Sequence, residues 1–142
     1  MFLGEFQHSL DAKGRIILPS RFRAQLESGL FITRGLDGCL WVMPPEEWNR
    51  LSQRLSQTSI ADPRARNFAR FVFSGASEDR PDKQGRISVP EPLRVHAELE
   101  LERDATVMGA NTRIEIWNTQ KWELRRSEAA EHMEEDIAGL QL

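Results

Sequence analysis

The chain has 142 residues, 39% of them hydrophobic and 29% charged, and its formal net charge at pH 7 is −3. This composition is typical of one globular domain, or of two half-domains that share a core. It excludes a membrane-spanning helix, because the longest apolar run, Cys39 to Met43, is five residues. The single cysteine excludes an intramolecular disulfide and a multi-cysteine zinc site.

The N-terminal residues lack the basic flank and the apolar stretch of a secretory signal, so we expect a cytoplasmic protein.

Charge is unevenly distributed along the chain. Residues 1–34 hold five Lys/Arg against three Asp/Glu and residues 50–90 hold eight against four, whereas residues 91–142 hold six against twelve. A basic face is therefore expected despite the negative sum, because the distribution of charge matters more to a partner than the total. Solvated charges without a partner are the alternative.

The predicted elements of the first half follow one order along the chain. They are a strand at residues 15–18 closed by Pro19, a short helix with Ser20 as its N-cap, a hairpin at residues 31–43 around Gly-Leu-Asp-Gly, and a helix at residues 44–57. A bridging helix follows, with Asp62 as its N-cap and Pro63 at the first helical position.

The second half repeats this order. It has a strand at residues 86–89, a short helix that opens at Glu91-Pro92, a hairpin at residues 105–117, and a helix capped by Thr119 that carries the acidic cluster Glu128 to Asp136. The spelling is also repeated: "DAKGRIILP" from Asp11 recurs 71 positions later as "DKQGRISVP" from Asp82. The chain is therefore predicted to be an internal duplication. Its aromatic residues are predicted to be packing anchors rather than a stacking platform.

The repeated motif combines a turn, an arginine and a short strand. Alternation places Ile16 and Leu18 on the core side of the first strand and Arg15 on the outward side. Asp11 can accept backbone N–H bonds in the turn and pair with the arginine four residues on, while Gly14 permits a positive φ. A loop lysine adds a second positive charge to each turn. Such a surface suits phosphates and base edges, although Asp and Arg that merely brace the turn are the alternative.

Several separated motifs resemble one family. They are the opening "MFLGE" with "LDAKGR", then "LDGCLWVMPPEEW", "SGASE" ahead of "DKQGR", and "NTRIEIWNTQKWE". Together they are similar to the MraZ family, within the AbrB-like group of swapped-hairpin DNA-binding folds. The resemblance implies an α+β fold, a double-split β-barrel built from two sequence-related halves with flanking helices. The implied division is residues 1–60 as the first half-barrel with its following helix, 61–76 as a bridging helix and 77–142 as the second half-barrel with an acidic C-terminal helix.

The resemblance also implies a function. The expected protein is a nucleoid-associated transcriptional regulator, a repressor of a cell-division and cell-wall gene cluster. It would bind direct repeats of double-stranded DNA in its own promoter as a ring-shaped homo-oligomer. No enzyme activity, cofactor, metal, membrane or small-molecule substrate is implied. Carried over by position, the DNA contacts are Arg15 and Arg86 with Lys13 and Lys83, and the residues that orient them are Asp11, Asp82, Gly14 and Gly85.

Two features depart from the family pattern. Leu3 stands where many relatives have a basic residue, and Arg80-Pro81 adds a charge and a stiff link ahead of the second motif.

Two other functions also compete with DNA binding. In one, Asp11 and Asp82 meet as a proton-sharing carboxylate dyad, which the basic neighbours of both residues disfavour. In the other, the chain is an oligomeric scaffold or protein-interaction module without specific DNA readout. The three histidines, His8, His96 and His132, show no pair at metal-ligand spacing.

Overall fold

The computed structural model describes every residue from Met1 to Leu142 and contains eight strands and five α-helices. The elements of the first half are β1 (Glu5–Ser9), β2 (Arg15–Ile17), α1 (Ser20–Arg23), β3 (Leu30–Arg34), β4 (Leu40–Met43), α2 (Pro45–Gln57) and α3 (Pro63–Ser74). Those of the second half are β5 (Ser77–Asp79), β6 (Arg86–Ser88), α4 (Glu91–Ala97), β7 (Asp104–Gly109), β8 (Ile114–Asn118) and α5 (Thr119–Leu140). None of these helices combines the length and the apolar content that crossing a membrane requires.

The two halves exchange strands. Six strands form one antiparallel sheet in the order β1-β7-β8-β4-β3-β5, and β2 pairs with β6 in a separate two-stranded sheet, which we call the ribbon. The first strand of each half pairs with the hairpin of the other half, since β1 pairs with β7 and β5 with β3. The predicted α+β class is confirmed. The closed barrel is not, because the strand pairing leaves β1 and β5 as the two edges of the sheet.

The edge strands β1 and β5 have no counterpart among the sequence predictions. Their residues, Glu5–Ser9 and Ser77–Asp79, are mostly polar, and neither strand contains a fully buried side chain. A strand that is defined by pairing with a distant partner and has little apolar alternation carries a weak local signal. The hairpins and the two ribbon strands do lie where alternation predicts them.

The main hydrophobic core is enclosed by one face of the six-stranded sheet, the ribbon, and helices α1 and α4. It comprises nineteen buried residues. From the ribbon segments it takes Ile16, Leu18, Ile87 and Val89, each at most 1% exposed, whereas Ile17 on the outward side is 39% exposed. The predicted alternation of the motif strands is therefore confirmed.

A second cluster covers the opposite face of the sheet. Cys39, Trp41, Met43, Val72 and Trp117 are buried there beneath helices α2, α3 and α5. The central strands β4 and β8 are covered on both faces, so that each is a nearly continuous buried run. The ring of Trp48 stacks on Phe31 with a centroid distance of 4.7 Å. These aromatic residues pack within the fold, as predicted.

Helix caps agree with prediction in one of three cases. Asp62 caps α3, accepting a hydrogen bond from the Arg64 N–H at 2.9 Å. The predictions for Ser20 and Thr119 are wrong by one position, because the caps are Pro19 and Asn118. Asn118 is the N-cap of α5 because its side chain accepts a hydrogen bond from the Lys121 N–H at 3.1 Å.

Candidate nucleic-acid interface

The first motif turn is organised by the Asp11 carboxylate. Its Oδ1 accepts the backbone N–H groups of Lys13 and Arg15, both at 2.9 Å, and its Oδ2 accepts from the Arg15 Nε at 2.8 Å. One carboxylate thus closes the turn and fixes the guanidinium at the start of β2. This is the Asp–Arg pairing that the four-residue spacing predicts.

The second motif turn repeats this geometry. The Oδ1 of Asp82 accepts the backbone N–H groups of Gln84 and Arg86 at 2.9 Å, and its Oδ2 accepts from the Arg86 Nε at 2.8 Å. Each arginine uses only its Nε within the protein, and its Nη1 and Nη2 make no hydrogen bond to another residue. The side chains of Arg15 and Arg86 are 29% and 28% exposed. Each guanidinium is held in place with two donor nitrogens available to a partner.

A glycine with positive φ stands just before each arginine. Gly14 has a φ of +77° and Gly85 of +79°, and both are buried. Their N–H groups donate to the carbonyls of Asp11 at 3.1 Å and Asp82 at 2.9 Å, which completes the turns. A residue with a Cβ is strained at such a φ, and the positive φ predicted for both glycines is confirmed.

The ribbon places the two arginines on the same outward face. In its antiparallel register Arg15 lies opposite Ser88 and Ile17 opposite Arg86. The arginines are therefore diagonal neighbours, with an expected Cα separation of about 7 to 8 Å. Backbone bonds from Leu18 N–H to the Gly85 carbonyl at 2.9 Å and from Val89 N–H to the Gly14 carbonyl at 2.8 Å join each turn to the other half. The spacing of the two guanidinium groups is consequently set by backbone pairing.

Arg23 of α1 braces the second motif turn from the first half. Its Nε donates to the Leu18 carbonyl at 3.0 Å, and the guanidinium lies where a Cβ on Gly85 would be. A Cβ at position 85 would therefore displace the Arg23 guanidinium, in addition to the strain at its φ.

Arg94 of α4 braces the first motif turn in the same way. Its Nη1 donates to the Val89 carbonyl at 2.7 Å, and its guanidinium lies against Gly14. Sequence reasoning did not find Arg23 and Arg94. The signal was available, because the 71-residue shift that relates the motifs also aligns these two arginines.

The two loop lysines lie at the ends of the ribbon but are not symmetric equivalents. Lys13 is the third residue of its turn and corresponds to Gln84, whereas Lys83 is the second and corresponds to Ala12. Both lysines are exposed, and neither forms an ion pair within the protein. Each end of the ribbon therefore has one loop lysine, but at a different position of the turn.

Both motif carboxylates are held in the ionised form. Hydrogen bonds from the backbone and the side chain of Arg15 lower the pKa of Asp11 below its ordinary value of 3.8. Those from the backbone and the side chain of Arg86 do the same for the pKa of Asp82. A proton-sharing dyad needs one carboxyl with a raised pKa, so this geometry opposes the dyad alternative.

Leu3 and Arg80, two residues that depart from the family pattern, are both exposed. Leu3 is 56% exposed, and Arg80 is an exposed residue whose Nη2 lies 3.4 Å from the Ser28 carbonyl. His96 is also accounted for by packing, since its ring lies edge-on to Phe71 with a centroid distance of 5.6 Å.

Fold and site together define the class of this protein. It is a duplicated α+β protein in which a ribbon shared by both halves presents two arginines, each oriented by its own aspartate. A family model described as "MraZ protein, putative antitoxin-like" matches the chain twice, over residues 1–71 and 72–140. The chain belongs to the MraZ family.

Curated relatives match over nearly their whole length, and three of them carry the name "Transcriptional regulator MraZ". The protein of Pediococcus pentosaceus is 49% identical over 138 residues, which cover 97% of this chain and 94% of the relative. That of Heliobacterium modesticaldum is 48% identical over 135 residues, covering 95% and 93%. That of Halothermothrix orenii is 45% identical over 141 residues, covering 99% and 97%. The resemblance in the motifs is therefore confirmed over the full chain.

Proposed function

We propose that this protein regulates transcription by sequence-specific binding of double-stranded DNA, with the outward face of the ribbon as the reading surface. The observation that carries the proposal is the matched pair of arginines. Arg15 and Arg86 are each fixed by an Asp through Nε and leave two donors unused. The names of the relatives support the regulatory role.

The dimensions of the ribbon suit the major groove of B-DNA. That groove is about 12 Å wide and admits a two-stranded β-ribbon. A guanidinium with both Nη groups free can donate to the O6 and N7 atoms of guanine, the commonest specific contact. Two such groups, on residues whose Cα atoms are about 7 to 8 Å apart, would contact nearby base pairs of one site. In this arrangement Arg15 and Arg86 read bases, and the exposed Lys13 and Lys83 neutralise phosphates.

The orienting residues make the readout specific. An arginine that is free to rotate would contact phosphates as well as bases, whereas Asp11 and Asp82 fix the direction of each fork before DNA arrives. Preorganisation of this kind lowers the entropic cost of binding. In the alternative, Asp and Arg merely brace their turns. That role uses only the Nε of each arginine and does not account for the two free Nη groups.

Affinity is proposed to come from several subunits acting together. One ribbon offers few base contacts, so a homo-oligomeric ring that engages successive direct repeats would gain strength through effective concentration. The target proposed from the family resemblance is the protein's own promoter, at the head of a cell-division and cell-wall gene cluster, with repression as the outcome and the nucleoid as the location. The half-barrel division at residues 1–60, 61–76 and 77–142 belongs to the same proposal.

The experiment is a fluorescence anisotropy titration of a labelled duplex from upstream of the protein's own gene, against a scrambled duplex of equal length. Wild type, Arg15→Ala, Arg86→Ala and Lys13→Ala are compared, with Arg125→Ala as the matched control because it removes one exposed arginine from α5. Each bidentate arginine contact is worth about 1 to 3 kcal/mol of discrimination, so the motif variants should lose roughly 5-fold to 150-fold of the preference. Lys13→Ala should instead weaken binding to both duplexes and lower the log–log salt slope by about 0.9.

Two results would refute the proposal. One is an equal affinity of wild type for both duplexes at every salt concentration. The other is a preference that Arg15→Ala and Arg86→Ala retain while folding normally. Either result favours the competing function, a scaffold or protein-interaction module that does not read sequence.

A further inference from the structure

The C-terminal half of α5 projects from the fold with its charges unpaired. Every residue from Ser127 to Leu142 is exposed except the half-buried Ala129. This segment has five acidic residues and no lysine or arginine, and none of the five forms an ion pair within the protein. These five are Glu128, Glu131, Glu134, Glu135 and Asp136.

The charges are placed unfavourably for an isolated helix. The C-terminal end of a helix favours positive side chains, yet the last turn of α5 has no basic residue. Glu131 and Glu135 are like charges four residues apart, which destabilises a helix further. A basic partner would offset the unfavourable negative charge at the helix end, and the chain's own fold does not supply one.

The same segment carries an apolar stripe. Met133, Ile137 and Leu140 are spaced four and three residues apart, so they lie on one face of the helix. Their exposed fractions are 44%, 45% and 67%. At helical spacing Glu134 and Asp136 flank the stripe, whereas Glu128 and Glu131 lie on the opposite face. The stripe with its two flanking acids is called the α5 stripe below.

An apolar groove with basic rims lies elsewhere on the molecule, between the end of α2 and α3. It has a volume of about 380 Å³. Ile60 on its wall is 82% exposed and Phe73 is 39% exposed. Two arginines of α3, Arg66 and Arg70, also line it. We call it the α2–α3 groove.

The arginines of the groove are available to an acidic partner. Arg66 donates from Nη1 to the Ile60 carbonyl at 2.9 Å, and the Nη1 of Arg70 lies 3.5 Å from the Asn67 Oδ1. Neither forms an ion pair within the protein. The sequence has no acidic residue between Asp62 and Glu78, so nothing on α3 itself neutralises them.

We propose that the α5 stripe of one molecule docks in the α2–α3 groove of a second copy. The two surfaces match in chemistry: apolar side chains flanked by unpaired acids would meet an apolar groove lined by unpaired arginines. Pairing of two α5 helices with each other would instead bring two acidic segments together, and like charges across an interface are costly. A contact between different surfaces of identical chains is head-to-tail, and it closes into a ring when the rotation permits.

This inference deepens the assembly of several subunits in the proposed function, and it is tested without DNA. Failure of the contact therefore leaves the DNA experiment with Arg15→Ala unaffected, and the reverse also holds. The measurement is sedimentation velocity of the full chain. The tail variant is Glu134→Arg with Asp136→Arg, and the groove variant is Arg66→Glu with Arg70→Glu. The matched control is Glu128→Arg with Glu131→Arg, which makes the same change of charge on the opposite face of α5.

We expect the tail and groove variants each to sediment as monomers while the control keeps the size of wild type. An equimolar mixture of the tail and groove variants should regain that size, because every contact in it is complementary again. Circular dichroism checks that each variant is folded. Ile60→Ser and Ile137→Ser change only exposed side chains, so they provide a second pair that is expected to fold and to lose assembly.

Four sedimentation results would overturn the contact. They are a wild type that sediments as a monomer at all concentrations, a tail variant of wild-type size, a control that disrupts assembly as strongly as the tail variant, and folded variants whose mixture stays monomeric. A groove variant of normal size that binds DNA less tightly would assign the α2–α3 groove to nucleic acid and would equally overturn it.

Discussion

Replacing Gly85 by Ala tests whether the second motif turn depends on close approach of Arg23 as well as on backbone conformation. Gly85 has a φ of +79°, and an added Cβ would meet the Arg23 guanidinium. Gly38 is the matched control, because its φ is +82° and a Cβ there has nothing within 4 Å. Both substitutions strain the backbone, but only Gly85→Ala displaces a neighbour.

The expected costs follow from these contacts. A left-handed backbone at an alanine costs about 1 to 2 kcal/mol, which is the whole expected effect of Gly38→Ala. Gly85→Ala also breaks the hydrogen bond of Arg23 to the Leu18 carbonyl. A bond from a charged donor contributes about 1.5 kcal/mol at the lower end of its range, suitable for a half-exposed side chain. The total is therefore about 3 kcal/mol, and the difference between the variants about 1.5 kcal/mol.

The assay is urea unfolding followed by tryptophan fluorescence, repeated in an Arg23→Ala background. In that background Gly85→Ala should cost only the backbone strain, so a double-mutant cycle should return a coupling of about 1.5 kcal/mol. Equal costs for Gly85→Ala and Gly38→Ala, or a coupling near zero, would show that Arg23 does not brace the turn.

Two further predictions concern charged groups. The pKa values of Asp11 and Asp82 are lowered in the folded chain, so the folded state binds fewer protons than the unfolded state as these groups titrate. The stability that the two ionised carboxylates contribute is present above about pH 4 and is lost as the pH falls through the folded pKa values. The urea midpoint of Asp11→Asn with Asp82→Asn should therefore fall less than that of wild type from about pH 5 to about pH 2, and parallel curves would contradict the ion pairs. Glu115 is 8% exposed and accepts from the Trp117 Nε1 at 3.0 Å and from the Arg113 Nε at 2.9 Å. Glu115→Ala should cost about 2 to 3 kcal/mol in urea unfolding and Glu115→Gln less, and an equal loss for both would show that the acceptor does not matter.

The parts of this fold that the sequence predicted are those with local causes. The turn of each motif follows from an Asp, a Gly and an Arg within five residues, and the core side of each ribbon strand follows from alternation. The Asp11–Arg15 pair was predictable for the same reason. Each of these features is decided by neighbours along the chain.

The parts that were not predicted depend on contacts between the halves. The pairing of β1 with β7 and that of β2 with β6 join residues about 70 or more positions apart, and the pairing of β5 with β3 joins residues more than 40 positions apart. Arg23 was missed because its partner, Gly85, belongs to the other half. A repeat alignment identifies such residues as recurring but does not say which surface they contact.

Under the proposed function, the asymmetry of the ribbon would suit directly repeated DNA sites. A pseudo-twofold ribbon with identical strands would read the same from either end and would favour a palindrome. This ribbon is not identical at its two ends, since Ile17 corresponds to Ser88 and Lys13 to Gln84. The symmetric arginines would fix the spacing of the two proposed base contacts, while the differing neighbours give the ribbon a direction. Under the proposed function, each ribbon therefore binds its site in one orientation, and head-to-tail subunits present their ribbons in the same sense along successive direct repeats.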